Sequence, residues 1–292
     1  MEQYRRRFGD RKDGRRLRSL DPLNSVSPYI MKNRVGAQNM IRDTIDLTLT
    51  EKYVRKKREE GLSNFGIMHV FIAAYVRVIS QRPGVNRFIS GQRIFARNNI
   101  ELCLTIKKEM TLNAMETIVK VEFDPASTAE DVYHRLNAAI LENREDGDKS
   151  DFDKTARFLK YIPGLLLKFS IFALNLLDYF GLLPKFLLKV SPFHASLFLT
   201  SMGSLGIPPI YHHLYDFGNI PVFFAYGAKR TQLILKKDGP ILEKKFLDFT
   251  VVTDERICDG HYFASALKLF REYFKNPDVL DSPPEKIIQD ID

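Results

Sequence analysis

Asp254-Glu255-Arg256-Ile257-Cys258-Asp259-Gly260 places four charged side chains in seven residues, between two apolar segments. Before it, Lys245–Thr253 is rich in aromatic and β-branched residues and reads as a strand. After it, Asp259–Phe274 carries Phe263, Leu267 and Phe270 at helical spacing and reads as an amphipathic helix. A charged turn between a strand and a helix either pins a scaffold or carries chemistry.

Outward from that turn, strands and helices mix without an internal repeat. An aromatic strand is expected at Pro221–Tyr226 and another near Gln232–Lys236. A short strand near Ser196–Ser201 leads into a Gly-rich turn with Gly203, Gly206, Pro208 and Pro209. In the N-terminal half, Met40–Leu47 alternates as a strand does. Phe65–Gln81 has one apolar face, made by Phe65, Met68, Ile72, Val76 and Ile79, and Pro83-Gly84 closes it. Val85–Ile89 and Arg93–Ala96 suggest a hairpin about Gly91, followed by strands at Ile100–Ile106 and Met115–Phe123. Thr48-Leu49-Thr50-Glu51 and Ser127-Thr128-Ala129-Glu130 have the spacing of capping boxes, opening helices to Glu60 and about Glu142. Glu142–Asp153 is a charged linker. The class is α/β (α+β) with a mixed β-sheet.

The 292 residues are 45% hydrophobic, enough to bury a substantial core without a disulfide or a metal as a staple. The net charge of +8 is uneven: residues 1–18 hold eight basic side chains against three acidic ones. Residues 1–35 therefore read as a basic N-terminal tail or arm, either solvated or clamping phosphates or an anionic membrane surface. Residues 281–292 read as a polar C-terminal tail. No nucleic-acid-binding signature accompanies the basic stretch, so nucleic acid is not an expected partner. Cys103 and Cys258 both lie in apolar surroundings and fit no zinc or redox spacing, which implies buried thiols in a reducing compartment. No cluster of His, Asp or Glu has metal-ligand spacing. The start of the chain lacks the apolar run of a signal peptide, so a cytoplasmic location is expected.

Residues 158–190 differ from the rest. They are dominated by Leu, Phe and Ile, punctuated by Pro163 and Pro184 and interrupted by Lys160, Lys168, Asp178, Lys185 and Lys189. The uncharged run Phe169–Leu177 falls well short of the ~20 residues of a membrane span. Two readings stand: a buried or subunit-packed helical pair, or an interfacial helix that rests on a membrane or lines a channel for an apolar chain.

Three stretches, in order, resemble the catalytic domain of the 2-oxo acid dehydrogenase acyltransferases, the dihydrolipoamide acyltransferases, whose fold chloramphenicol acetyltransferase shares. Phe71-Ile72-Ala73-Ala74 through Pro83-Gly84-Val85-Asn86 and Asn99-Ile100 resembles the family's helix, P-x-x-N and following strand. Leu199-Thr200-Ser201-Met202-Gly203-Ser204-Leu205-Gly206 is similar to its L-S-N-I-G-S-I-G, and Val252–Gly260 to its x-x-D-H-R-x-x-D-G. Together they span roughly residues 40–275, apart from an apolar helical insertion at about 152–190. The resemblance implies a two-layer sandwich of the chloramphenicol acetyltransferase type. It implies a homotrimer with active sites between subunits and an acyl-CoA as co-substrate. With no lipoyl domain or subunit-binding module ahead of residues 36–280, a stand-alone catalytic unit is the expectation.

Acyl transfer from a thioester needs a base for the attacking group and a donor for the tetrahedral oxyanion. By resemblance Thr200 is the oxyanion donor, and Ser201, Gly203 and Ser204 border the substrate and coenzyme A. Glu255 stands where the family keeps its histidine base, and a carboxylate of ordinary pKa ~4 is a weak base toward a thiol or alcohol. Asp259 is expected to hold the loop through a buried ion pair and Gly260 to permit a close turn, with Asp254 and Arg256 as further structural members. His212 and His213, just after the Gly-rich turn and close to Asp216, are the other candidate bases, with an orienting carboxylate–imidazole pair in view. His261 is adjacent to the charged turn. His69 reads as structural. The open alternatives are an active acyltransferase, a degenerate trimeric scaffold or ligand-binding relative, and a peripheral membrane protein.

Overall fold

The computed structural model describes residues 6–107, 116–145, 161–235, 239 and 241–292. In chain order the elements are β1 (Gly14–Arg16), α1 (Pro22–Ile30), β2 (Gln38–Asp46), α2 (Thr48–Glu59), α3 (Ile67–Gln81), β3 (Arg87–Ser90), β4 (Arg93–Arg97), β5 (Ile100–Lys107) and β6 (Glu116–Phe123). They continue with α4 (Ala129–Glu145), α5 (Gly164–Tyr179), α6 (Lys185–Val190), β7 (Leu197–Ser201), β8 (Val222–Leu235), β9 (Ile241–Asp254) and α7 (Gly260–Lys275). Most of the linker expected at 142–153, and the start of the apolar segment at 158–160, lie outside the described residues.

Six strands form one mixed sheet in the order β2-β9-β8-β7-β5-β6. β7 runs parallel to β5 and to β8, and the other pairings are antiparallel. The second sheet, β1-β4-β3, is antiparallel. Alternation along the strands sends Leu102, Leu104, Leu197, Leu199, Phe224 and Val251 into the main core, beneath the helices. Helix α3 is almost wholly buried there. Its Phe71 ring meets Phe224 edge-on at 5.1 Å and Phe270 of α7 at 4.9 Å, a geometry that suits aromatic quadrupoles. The opposite face holds a smaller cluster that includes Cys103, Phe198, Leu214, Phe223 and Val252.

The parallel step from β7 to β8 fixes the path of residues 202–221. A parallel pair cannot be joined by a tight turn, so the chain must travel back along the sheet. It does so without a helix, and covers the second face with loop. A bulge in β8 between Tyr226 and Lys229 receives this loop. Met202 N donates to Tyr226 O at 2.8 Å, and Ala228 N to Ile207 O at 2.9 Å. A Cβ on Gly227 would stand 2.6 Å from Pro209 Cδ, so the bulge needs glycine there. The two strands expected at 221–226 and 232–236 are thus one bulged strand, ending at Leu235 among the described residues.

Several local expectations shift. Thr48 does not cap α2 with Glu51; its own N–H and hydroxyl donate to Asp46 Oδ1, and Glu51 pairs with Lys229 at 2.8 Å. The box at α4 sits one residue later: Asp131 N donates to Thr128 Oγ1, and Thr128 N to Asp131 Oδ2. From Asp10 to Leu17 the basic N-terminal stretch is packed against the fold and is not a solvated tail. β1 pairs with β4, and Arg11 is buried against Asp13 and Asp178. The C-terminal residues are packed too: Asp290 ion-pairs with Arg87, and Ile288 N donates to Ser80 O at 2.8 Å.

Candidate functional site

The charged turn is rigid at its centre and open at its tip. Asp254, almost inaccessible at the end of β9, receives Arg256 Nε and Nη2 at 2.7 Å each. This fork-to-fork pair is completed by Arg256 Nη1 donating to Met31 O at 2.9 Å, with Arg34 Nε 3.6 Å from Asp254. The buried ion pair expected at Asp259 is therefore made by Asp254 and Arg256. Asp259 is exposed and caps α7, accepting from Tyr262 N at 2.8 Å. Gly260 meets no tight contact: a Cβ there would find nothing within 4 Å. Glu255, between the two buried residues, points to solvent and has no partner among the described residues. Cys258 is buried, and burial pushes its thiol up to about 12, which leaves it inert as a nucleophile.

Thr200 lies part-way along the sheet from the turn. It pairs in register with Ala225, and Ala225 with Thr250; Glu255 follows five residues after Thr250, roughly 17 Å along the strands at ~3.4 Å per residue. Within one chain the two do not meet. Thr200 is half-buried and shares the second face with Phe198, two residues before it. Ser201 points the other way, toward the core residue Tyr226, whose phenol burial pushes up to about 12 while the Ser201 hydroxyl bond opposes. Gly203 opens a 3-10 turn whose Ser204 is exposed.

The 202–221 loop brings His212 to the face that carries Thr200. The imidazole stacks on Phe223 at 3.8 Å with an interplanar angle of 3°. Phe223 is the register partner of Phe198, so His212 stands beside Thr200's row, about 7 Å along the strand from its level. His212 Nδ1 lies 2.9 Å from the carbonyl oxygen of His213. A carbonyl can only accept, so Nδ1 carries the proton and Nε2 keeps its lone pair. Burial lowers the His212 pKa, the bond to His213 opposes this, and the neighbouring His213 lowers it further. The lowered pKa favours the neutral imidazole, and the Phe223 stack and the His213 carbonyl fix its orientation. The orienting partner is thus a backbone carbonyl and not Asp216, which is exposed. His213 is exposed, 4.7 Å from His212 ring to ring. His261 is exposed at the start of α7. His69 is buried, and its Nδ1 accepts from Gly66 N at 3.0 Å, a structural role.

Three residues that the sequence did not single out hold the loop. Arg34 donates to Tyr215 O at 2.6 Å and to Gly218 O at 2.8 Å. Gln38 Oε1 accepts from Leu214 N at 2.8 Å, and the Thr250 hydroxyl donates to Ile210 O. Because Arg34 also faces Asp254, the loop and the charged turn are anchored on one buried charge cluster. Their partners are 40 residues away for Thr250 and 176 or more for Gln38 and Arg34, and no local pattern marks them.

Among the described residues no group of His, Cys, Asp and Glu could hold a metal, and no helix is long and apolar enough to cross a membrane. The apolar segment forms α5 and α6. On α5 only Asp178 is buried, while Leu165, Leu166, Phe169 and Phe172 are exposed. Asp178 is the anchor: Arg11 Nη2 donates to it at 2.6 Å, and His194 Nε2 lies 3.5 Å away. Gly91, at φ +54° in the β3–β4 turn, lets Tyr179 O approach to where a Cβ would be only 2.4 Å away.

No protein-family model and no curated protein sequence matches the chain. Solved structures do. The probable dihydrolipoamide acetyltransferase of Listeria monocytogenes superposes with a TM-score of 0.56 at 13% identity, covering 89% of this chain and 95% of that one. The dihydrolipoamide acetyltransferase of Azotobacter vinelandii gives 0.55 at 11% identity, over 88% and 87%. The truncated catalytic core of the 2-oxoacid dehydrogenase multienzyme complex from Thermoplasma acidophilum gives 0.54 at 9%, over 90% and 100%. At these identities the likeness establishes the fold: a two-layer, mixed-sheet acyltransferase-like sandwich.

Proposed function

We propose that the protein transfers an acyl group from a coenzyme A thioester to a small acceptor, with His212 as base and Thr200 as oxyanion donor. The observation that carries this reading is the neutral, backbone-oriented imidazole on the face that bears Thr200. Nε2 takes the proton of the acceptor's thiol or hydroxyl as it attacks the thioester carbonyl. The Thr200 hydroxyl donates to the oxygen as its charge develops. Collapse expels the coenzyme A thiolate, which recovers the proton from the imidazolium. Gly203 and Ser204 border this site as the turn after β7, while Ser201 faces the core beneath it.

The Azotobacter enzyme's structure was determined to probe a serine, a histidine and an asparagine in its mechanism. Its serine and histidine are 52 residues apart in sequence, close to the 55 that separate Thr200 from Glu255. Its asparagine follows the histidine by four residues, as Asp259 follows Glu255. That correspondence supports reading Glu255 as the place of a lost histidine. It also supports a homotrimer, in which the Glu255 turn of one subunit would meet the Thr200 of another. A second reading, a scaffold or ligand-binding relative without activity, is favoured by Glu255 alone, which is exposed and unpartnered among the described residues.

Release of free thiol from a panel of acyl-CoAs decides between them. Under the first reading the wild type releases thiol and a His212→Gln, Thr200→Val variant does not. Under the second, wild type and variant are equally silent. The exposed Leu and Phe side chains of α5, beside Lys168, Lys185 and Lys189, support peripheral contact with an anionic membrane from the cytoplasmic side. Flotation with phosphatidylserine vesicles tests it: Phe169→Ser, Phe172→Ser should stay at the bottom of the gradient while the wild type floats, and a wild type that never floats removes the idea.

A further inference from the structure

One cavity lies away from Thr200 and His212. Its volume is about 490 Å³, and it sits between the N-terminal segment, the end of α3, the β4–β5 junction and the C-terminal residues. Six cations line it: Arg6, Arg11, Lys12, Arg15, Arg97 and Lys185. Two acids do, Asp10 and Asp290. Both are already engaged by arginines outside the lining: Arg18 lies 3.0 Å from Asp10, and Arg87 2.7 Å from Asp290. A second cavity of about 370 Å³ shares Lys12, Arg97, Asn98 and Lys185 with the first. Of its acids, Asp13 is paired with Arg11 at 2.8 Å, Glu101 lies 3.3 Å from Lys120, and Glu122 is at an exposed edge.

Arg97, in the wall common to both, is only 8% exposed. Its Nη2 donates to Asn219 Oδ1 at 2.7 Å, and Asn219 Nδ2 in turn donates to Asp13 at 2.9 Å. The guanidinium also lies 4.4 Å from the centre of the Phe88 ring. Its orientation is therefore fixed, yet its Nε and Nη1 have no acceptor. Buried N–H groups left unpaired are costly and uncommon, and a charged one more so. Lys12 Nζ reaches only a carbonyl, Leu183 O at 3.0 Å, and Lys185 has no acidic partner among the described residues. Two unpaired guanidinium nitrogens and two ammonium groups outnumber what one carboxylate could serve. A phosphate, with several strong acceptor oxygens and more than one negative charge, matches them. The first cavity also presents the apolar side chains of Ile79, Pro83, Ile100 and Ile288 beside polar ones, which suits an organic body better than a bare ion.

We propose that Arg97, Lys12 and Lys185 bind the phosphate group of a small phosphate ester, whose organic body lodges in the first cavity. The site does not depend on acyl transfer, since Thr200 and His212 line neither cavity.

Isothermal titration of the full chain with ADP and, separately, with inorganic phosphate tests the site. Both probes should bind, ADP more tightly, and affinity should fall as salt rises. A Lys12→Met, Lys185→Met variant removes one exposed ammonium and one half-buried ammonium whose single bond is to Leu183 O. It should keep the wild-type circular dichroism and melting temperature and lose about tenfold or more in affinity for both probes, as expected for charge-assisted bonds. Arg97→Lys, which retains the charge and loses the fork, should weaken both probes as well. The proposal is overturned if the folded wild type binds neither probe at millimolar concentration. It is equally overturned if the double variant binds as the wild type does, or if citrate binds as tightly as ADP.

Discussion

The turn that carries Glu255 and the loop that carries His212 differ in which side chain each holds in place. The turn is built like a hinge pin. Asp254 and Arg256 are buried in a bidentate pair, and Glu255 between them is left in water. The loop lacks regular structure, yet its imidazole is stacked, half-buried and held in one tautomer. The comparison teaches that a residue's place in a recognisable motif does not make it the base. What makes a base is an environment that keeps it neutral, desolvated and aimed.

Four measurements would break or sharpen that contrast. The largest effect should come from the scaffold. Arg256→Met strands the buried Asp254 carboxylate and should cost about 3–5 kcal/mol in urea unfolding. A cost below about 1 kcal/mol would mean that the turn is not the pin described. Next, His212→Gln should lower thiol release about 10²- to 10³-fold with an unchanged melting temperature, the usual worth of a positioned base. Because the pKa of His212 is lowered, its neutral form persists below pH 6.5. The wild-type rate should therefore be flat through neutral pH and fall only on the acid side. A rate that rises tenfold from pH 6 to 8 contradicts the assignment.

The third measurement concerns the anchor of α5. Burial would raise the Asp178 pKa, but the His194 contact and the Arg11 charge outweigh it and hold the carboxyl at about 2. Its folded pKa lies below the unfolded value, so the stabilisation is present above about pH 4 and is lost as pH falls toward 2, roughly 2 kcal/mol in all. Asp178→Asn should flatten that acid limb; an identical limb in the variant argues against the anchor. The smallest effect is Glu255→Gln, which should change thiol release by less than about threefold, since an exposed carboxylate is a weak base. A loss beyond tenfold would return the chemistry to the turn and require a neighbouring subunit to bring Thr200 to it.

Much of the architecture was legible because burial writes a period into sequence. The apolar face of α3, the alternation of β5 and the Gly91 hairpin all follow from side chains that must leave water. The first capping box misled because Asp46 offered Thr48 a stronger local acceptor, and the second slipped by one residue because Thr128 and Asp131 have the same spacing. The 221–236 stretch was read as two strands because a bulge interrupts alternation as a turn would.

The candidate site divides along the same line. Chain order and residue type were enough to select Thr200, the His212-His213 pair and the Asp254–Gly260 turn, since each depends on neighbours in sequence. Sequence could not assign their roles. Whether Asp259 or Asp254 is the buried partner, whether His212 is oriented by Asp216 or by a backbone carbonyl, and whether Glu255 is desolvated all depend on groups brought from elsewhere in the chain. Arg34, Gln38, Thr250 and Met31 supply them. The amino-acid sequence by itself determined the layers and the short list of reactive side chains, because hydrophobic periodicity and local bonding act over a few residues. Only the tertiary structure decided which of those side chains is pinned, which is aimed and which is left in water, because burial and charge pairing are set by long-range contacts.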